Sequence, residues 1–379
     1  MADSPIVRIL LCPDKFAGTL SAVEAADALA EGWLAAAPAD EVRRRPLADG
    51  GPGFLSVLGS AVGEAVTPVA THDPLGRPVT GSVLTVNGTA YLESAQACGL
   101  HLLSDAERDP KATTSYGLGV LIAAAVESGV RDIVVGLGGS ATNDGGAGML
   151  AALGAPPVDA AGCPLPYGGA PLLACAGLGG VPRLRDVRLI AATDVDNPLL
   201  GPNGASAVFG PQKGASDDDV RLLDAALGRY AAVLQRDLPG CPPGLASRPG
   251  AGAAGGLGAA ILACGGRRLS GFGVVRSVTG LDAALDACDL VVTGEGRLDE
   301  QSLRGKVVAG VAAAARERGV PCVVVAGQAA AGIAAEAAAA GVTEVVALAD
   351  QAGGVEEAMA HPARALRAAA GRVAARLSG

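Results

Sequence analysis

The chain has 379 residues, 50% of them hydrophobic, and a formal net charge of −9. That length exceeds what one hydrophobic core usually serves, so two domains are expected, and an acidic chain without a Lys/Arg cluster is a poor partner for nucleic acid. Its eight cysteines stand singly, without a CxxC pair or zinc spacing, and read as buried small residues in a reducing, cytoplasmic setting, while no stretch reads as a secretory signal or a membrane span.

In chain order, IVRILLCPD is a strand ending at Asp14, and a capping box of Ser21 and Glu24 then opens a helix. Val23, Ala26, Leu29, Ala30, Trp33 and Leu34 recur at helical spacing and give it one apolar face. EVRRRPLADG is a second strand, closed by Asp49 and Gly50. From about Asp73 to Asp286 the texture shifts to glycine and proline turns with longer connections. Alternation returns at the C-terminal end, where DLVVTGEG, PCVVVAGQ and TEVVALAD are short apolar strands separated by Ala-rich helices. Strand, helix, strand in alternation means a parallel sheet. The expected fold is α/β with two domains: a discontinuous Rossmann-like parallel-sheet domain built from residues 1–72 and 287–379, and a second α/β domain, 73–286, inserted in it.

Within the middle segment, the strand RDIVVGL hands over through GLGGSATNDGG (residues 136–146) to an apolar helix. Backbone N–H groups freed by the glycines, with the positive end of that helix, would hold phosphate oxygens. Gly136, Gly138 and Ala141 also fit a GxGxxA dinucleotide fingerprint, but the next stretch, LGAPPVDAAGC, lacks the acidic residue that closes the following strand. A tight turn without a ligand is the plain alternative. Gly250, Gly252 and Gly255 match GxGxxG by letter, yet CPPGLASRP before them is no strand, so they read as a glycine-rich helix start where backbone or nucleotide comes close.

VRLIAATDVDNP ends a strand with Asp194 and Asp196, on one face if the chain is still extended, where open α/β sheets bind ligands. Such a carboxylate deprotonates a hydroxyl or holds Mg²⁺; an Asx-turn is the simpler reading for either one alone. In DLVVTGEGRLDEQSLRGK the strand ends into Gly294, Glu295, Arg297 and Asp299, followed by Ser302 and Lys306 at a helix start, a mixture suited to phosphate and metal or to a solvated ion-pair loop. Asp217, Asp218 and Asp219 behind Ser216 read as helix capping rather than a metal site. His72, His101 and His361 stand alone, and no G-x-S-x-G elbow supports a hydrolase.

Taken together, LCPDKFAGTLSAVEAADAL, PLADGGPGF, DPLGRPV, RDPKATTSYGLG, GLGGSATNDGGAGMLAALG, TDVDNPLLGPNGASAVFGPQKGAS, PGAGAAGGLGAAIL and VVTGEGRLDEQSLRGKVVAGVA resemble the successive signatures of the bacterial glycerate kinase family, over nearly the whole chain. The resemblance implies ATP-dependent, Mg²⁺-requiring phosphorylation of D-glycerate, usually at the 2-hydroxyl to give 2-phosphoglycerate, in a cleft between a Rossmann-like domain of both termini and an inserted domain. Asp194 matches the family aspartate cast as base for the hydroxyl, with Arg297 and Lys15 as further catalytic candidates. Gly138, Gly139, Ser140, Asn143, Asp14, Asp49 and Lys306 are the candidates for substrate and phosphate, and Glu295 and Asp299 for the metal. The partner implied is small-molecule glycerate, with no nucleic acid and no membrane; a homo-oligomer is left open.

Two signatures depart from the family. Ala17 stands where the first usually has lysine, with Lys15 two residues earlier, and Pro52 and Phe54 replace the glutamate and threonine of ADGGEGT. These changes keep three alternatives in view: a kinase of a related small hydroxy acid, a 3-phosphoglycerate-forming enzyme, and an inactive nucleotide-binding paralogue.

Overall fold

The computed structural model describes residues 6–16, 18–64, 66–303, 305–351 and 353–377. Ala17 lies outside the described residues. The strands, in chain order, are β1 (Arg8–Pro13), β2 (Glu41–Arg44), β3 (Thr67–His72), β4 (Pro78–Val86), β5 (Thr89–Glu93), β6 (Asp132–Gly136), β7 (Pro157–Val158), β8 (Gly177–Leu178), β9 (Arg188–Ala192), β10 (Arg267–Leu269), β11 (Leu290–Leu298), β12 (Cys322–Ala329) and β13 (Glu344–Ala347). The chain divides into two compact units, one of Met1–Asp49, Ser56–Gly63 and Phe272–Gly379, the other of Gly50–Leu55 and Glu64–Gly271. The expected division therefore changes in three places, the first being that Gly50–Leu55 belongs to the second unit. Residues 67–72 leave the first unit because β3 pairs antiparallel with β4, and the helices Gly271–Thr279 and Leu281–Leu285 fall almost wholly in it.

The first unit carries a five-stranded parallel sheet in the order β13-β12-β11-β1-β2. The chain winds outward from the neighbours β1 and β11 in both directions, which makes their carboxyl ends a topological switch point where α/β sheets open a crevice. β1 is buried from Ile9 to Pro13, as a central strand covered on both faces must be. The capping box closes as expected, Glu24 N–H donating to Ser21 Oγ at 3.2 Å and Ser21 N–H to the Glu24 carboxylate at 2.8 Å, at the start of the helix Ala22–Ala36. Trp33 packs fully buried and donates its indole N–H to Asp40 Oδ2 at 2.9 Å. A Cβ on Gly32 would lie 2.1 Å from the Arg367 carbonyl oxygen, so this helix meets the helix Pro362–Leu377 main chain to main chain.

The second unit holds a six-stranded sheet ordered β10-β9-β6-β5-β4-β3. β10, β9, β6 and β5 run parallel, and β3, β4 and β5 form an antiparallel meander. The helix Asp217–Asp237 opens on a Ser216–Asp219 capping box and buries Leu223, Ala226, Leu227, Tyr230 and Leu234, so its three aspartates serve the helix start. The cysteines are all free, but only Cys12, Cys98, Cys175, Cys288 and Cys322 are buried; Cys163 is exposed and Cys241 and Cys264 half-buried, a correction to the uniform expectation. Among the described residues no helix is long and apolar enough to cross a membrane.

Candidate functional site

In the first unit, the candidates Asp14, Lys15, Asp49, Glu295, Arg297, Asp299 and Lys306 line one cavity of about 480 Å³. The topology explains the convergence: Asp14 and Lys15 follow β1, Glu295 and Arg297 lie at the carboxyl end of β11, and these two strands flank the switch point. β11 does not stop at Gly294 as expected. It stays paired to β12, with Glu295 opposite Ala326 and Arg297 opposite Gln328, so polar residues continue the ladder into the cavity. Phe16, Leu348, Val355 and Met359 give the cavity an apolar wall.

Its electrostatics are those of a crowded acidic site with a cation in it. Lys15 Nζ lies 3.6 Å from both Asp14 and Asp49; burial works against its ammonium, but the two carboxylates hold its pKa above the usual value. Burial pushes Asp14 up to about 6, Lys15 opposing and Asp49 adding to the shift. Burial pushes Glu295 higher, to about 7, against a Ser302 hydrogen bond and the Lys306 charge, and its Oε1 is buried without a hydrogen-bond partner. Asp299 is organised by Ser302: its N–H donates to Ser302 Oγ at 3.2 Å, and Ser302 Oγ donates to the Arg297 carbonyl at 3.1 Å. Ser302 and Gln328 also line the cavity.

In the second unit the remaining candidates gather at the carboxyl ends of the adjacent parallel strands β6 and β9, where Gly136 pairs with Ala192 and Leu137 N–H donates to the Ala192 carbonyl at 3.0 Å. Asp194 follows two residues later and accepts from Ser270 Oγ at 2.6 Å and Gly271 N–H at 3.1 Å. Asp196 does not act with it: it turns to an ion pair with Arg268 of β10 because the strand has already ended at Ala192.

The loop 136–146 presents Gly138 half-buried and Gly139 exposed, whereas Ser140, Thr142, Asn143 and Asp144 are buried. Asp144 ties the loop down, accepting from Ser115 N–H and Oγ, Gly146 N–H and Gly148 N–H. Asn143 donates to Ser206 Oγ at 2.9 Å, so its amide nitrogen faces inward rather than toward a ligand. The departures Pro52 and Phe54 belong to the same neighbourhood. Pro52 lies against Gly139, Phe54 packs fully buried beside Gly136 and Tyr91, and Glu93, at the end of β5, accepts from Gly53 N–H at 3.1 Å.

The GAGAAGG segment is the close backbone approach anticipated from its glycines. Gly255 has φ +70°, and a Cβ there would lie 1.8 Å from the Thr142 carbonyl. Gly255→Ala is expected to lose about 3 kcal/mol, seen as a lowered melting temperature in calorimetry; an unchanged transition would show that the loop relaxes freely.

Sequence reasoning missed Lys213 and Glu93, both buried. Lys213 sits in GPQKGAS, quoted only as part of a signature, and a lone lysine in a turn carries no local signal.

The glycerate kinase family model matches residues 9–378. A glycerate 2-kinase of Escherichia coli (strain K12) is 43% identical over 327 residues, 85% of each chain. A glycerate kinase of Bacillus subtilis (strain 168) is 41% identical over 327 residues, again 85% of each. The crystal structure of a candidate glycerate kinase 2 from Salmonella typhimurium LT2 aligns over 98% of each chain with a TM-score of 0.81 at 38% identity.

Proposed function

The chain belongs to the glycerate kinase family, phosphotransferases with an alcohol acceptor, and from that premise we propose that it transfers the γ-phosphoryl group of ATP to the 2-hydroxyl of D-glycerate, giving 2-phosphoglycerate. The observation that carries this reading is the single cavity where seven residues from Asp14 to Lys306 meet at the switch point. The reading assigns Asp194 as the base that takes the hydroxyl proton while the oxygen–phosphorus bond forms and ADP leaves. Lys15, Arg297 and Lys306 supply positive charge for carboxylate and phosphoryl oxygens, and the loop at Gly138, Gly139 and Ser140 holds nucleotide phosphates through N–H and O–H donors. Asn143 supports that loop from within.

For Mg²⁺, the donor chemistry fits: Glu295 has an orphaned buried oxygen and a pKa raised by burial that the nearby Lys306 charge does not offset. Glu295 and Asp299 are the residues that would hold the ion, which would neutralise charge on the transferring phosphoryl group. Among the described residues no cluster of three or more metal-ligating side chains occurs.

A coupled ADP-release assay over a panel of small hydroxy acids tests the assignment. D-glycerate is expected to have the highest kcat/KM, and phosphorus NMR of the product to show the 2-phosphate. A better acid in the panel, a 3-phosphate signal, or ATP binding without turnover would each replace the proposal.

A further inference from the structure

We infer that Lys213 is a positioning residue for the phosphate-bearing substrate, acting from beneath the loop through the Ser140 hydroxyl. This rests on reading the loop 136–146 as the nucleotide's phosphate site. Lys213 is 2% exposed, and its Nζ donates to Ser140 Oγ at 3.0 Å and to the Thr142 carbonyl at 2.7 Å. It therefore places a cation directly beneath the loop without reaching solvent itself.

The chemistry follows from the donor inventory. An ammonium has three protons and no lone pair, so it can only donate. Once Ser140 Oγ accepts from it, the hydroxyl proton of Ser140 has no acceptor among the described residues and is left for an incoming anion. Beside Ser140, the N–H groups of Gly138 and Gly139 likewise donate to no other group among the described residues. Thr142 Oγ1 is also buried without a partner.

The titratable groups facing Lys213 are Asp144 of the loop and Cys98 at the end of the helix Ala95–Cys98. Asp144 does not neutralise Lys213 by a direct bond, because its oxygens already accept from Ser115, Gly146 and Gly148. Burial pulls Lys213 down to about 7, Asp144 opposing. When the amine is neutral it can accept from Ser140, turning that hydroxyl inward; when protonated it turns the hydroxyl outward. A bound polyphosphate favours the protonated form, so ATP binding and proton uptake are linked at this lysine.

Calorimetric titration of the wild-type protein with ATP, without glycerate, at pH 8 in buffers of differing ionisation heat reads that linkage directly. The phosphate's own last proton is already lost at that pH. Uptake of up to about one proton per ATP is expected, and bound ATP with no uptake overturns the proton linkage. Lys213→Met is expected to abolish the uptake and to weaken ATP about tenfold, with the KM for D-glycerate within about twofold of wild type. On a Ser140→Ala background the same substitution is expected to change ATP affinity less than about twofold, since its route is gone; an equal loss on both backgrounds overturns the inference. If Ser140→Ala leaves ATP affinity unchanged, the phosphate reading of the loop fails instead.

Discussion

Asp194→Asn is expected to lower kcat by about 10²- to 10⁴-fold while the dissociation constant for ATP stays within about twofold. The substitution keeps the shape of the side chain and an oxygen that can still accept from Ser270 Oγ and Gly271 N–H, so the junction it holds survives. What it removes is the capacity to take up the proton of the acceptor hydroxyl. Steady-state kinetics with titration of ATP separate the two properties. A variant with near-wild-type kcat would end the role of Asp194 as base, whatever happened to KM.

The second large effect concerns stability. Glu295→Gln is expected to stabilise the protein at pH 8 by on the order of 2–3 kcal/mol relative to wild type, and to give little gain at pH 5. Glu295 has its pKa raised from the usual 4.5 to about 7 by burial, so the folded chain binds a proton more tightly than the unfolded chain. The contribution of this group is therefore fully favourable below about 4.5 and is lost as pH rises to about 7, because the carboxylate must then ionise in a site with an orphaned oxygen. Glutamine never ionises and escapes that loss. Asp14, pushed up to about 6, acts in the same direction. Denaturant unfolding at the two pH values checks the difference, and an equal gain at both would refute the burial argument. Saturating Mg²⁺ is expected to stabilise the wild type at pH 8 more than the glutamine variant, by supplying the charge the site lacks.

Local chemistry was legible in the sequence. The capping box at Ser21, the helix start at Ser216, the strand β1 and the alternation near the C-terminus depend on residues a few positions apart, and all of them stand in the fold. The convergence of Asp14, Asp49 and Glu295 was legible only through signatures, since their proximity depends on a pairing between strands 281 residues apart. Three things escaped. β3, Thr67–His72, is half exposed and carries no apolar alternation to betray an edge strand. The end of β11 is polar, and only the length of β12 beside it keeps it extended. Lys213 is tolerable in a core because a carbonyl and a hydroxyl some seventy residues away receive its protons.

The pairing of β1 with β11 has a consequence for how the molecule is made. Ile9 finds its partner Leu290 only when most of the chain has been synthesised, a wait of tens of seconds at ordinary translation rates. The second unit, Gly50–Leu55 with Glu64–Gly271, has by then emerged whole. Birth order is thus the reverse of sequence order: the middle of the chain can finish first, and the opening strand, apolar on both faces, must be kept from other partners until the end arrives. Truncation ahead of Leu290 would therefore strand the N-terminal segment rather than merely trim a tail.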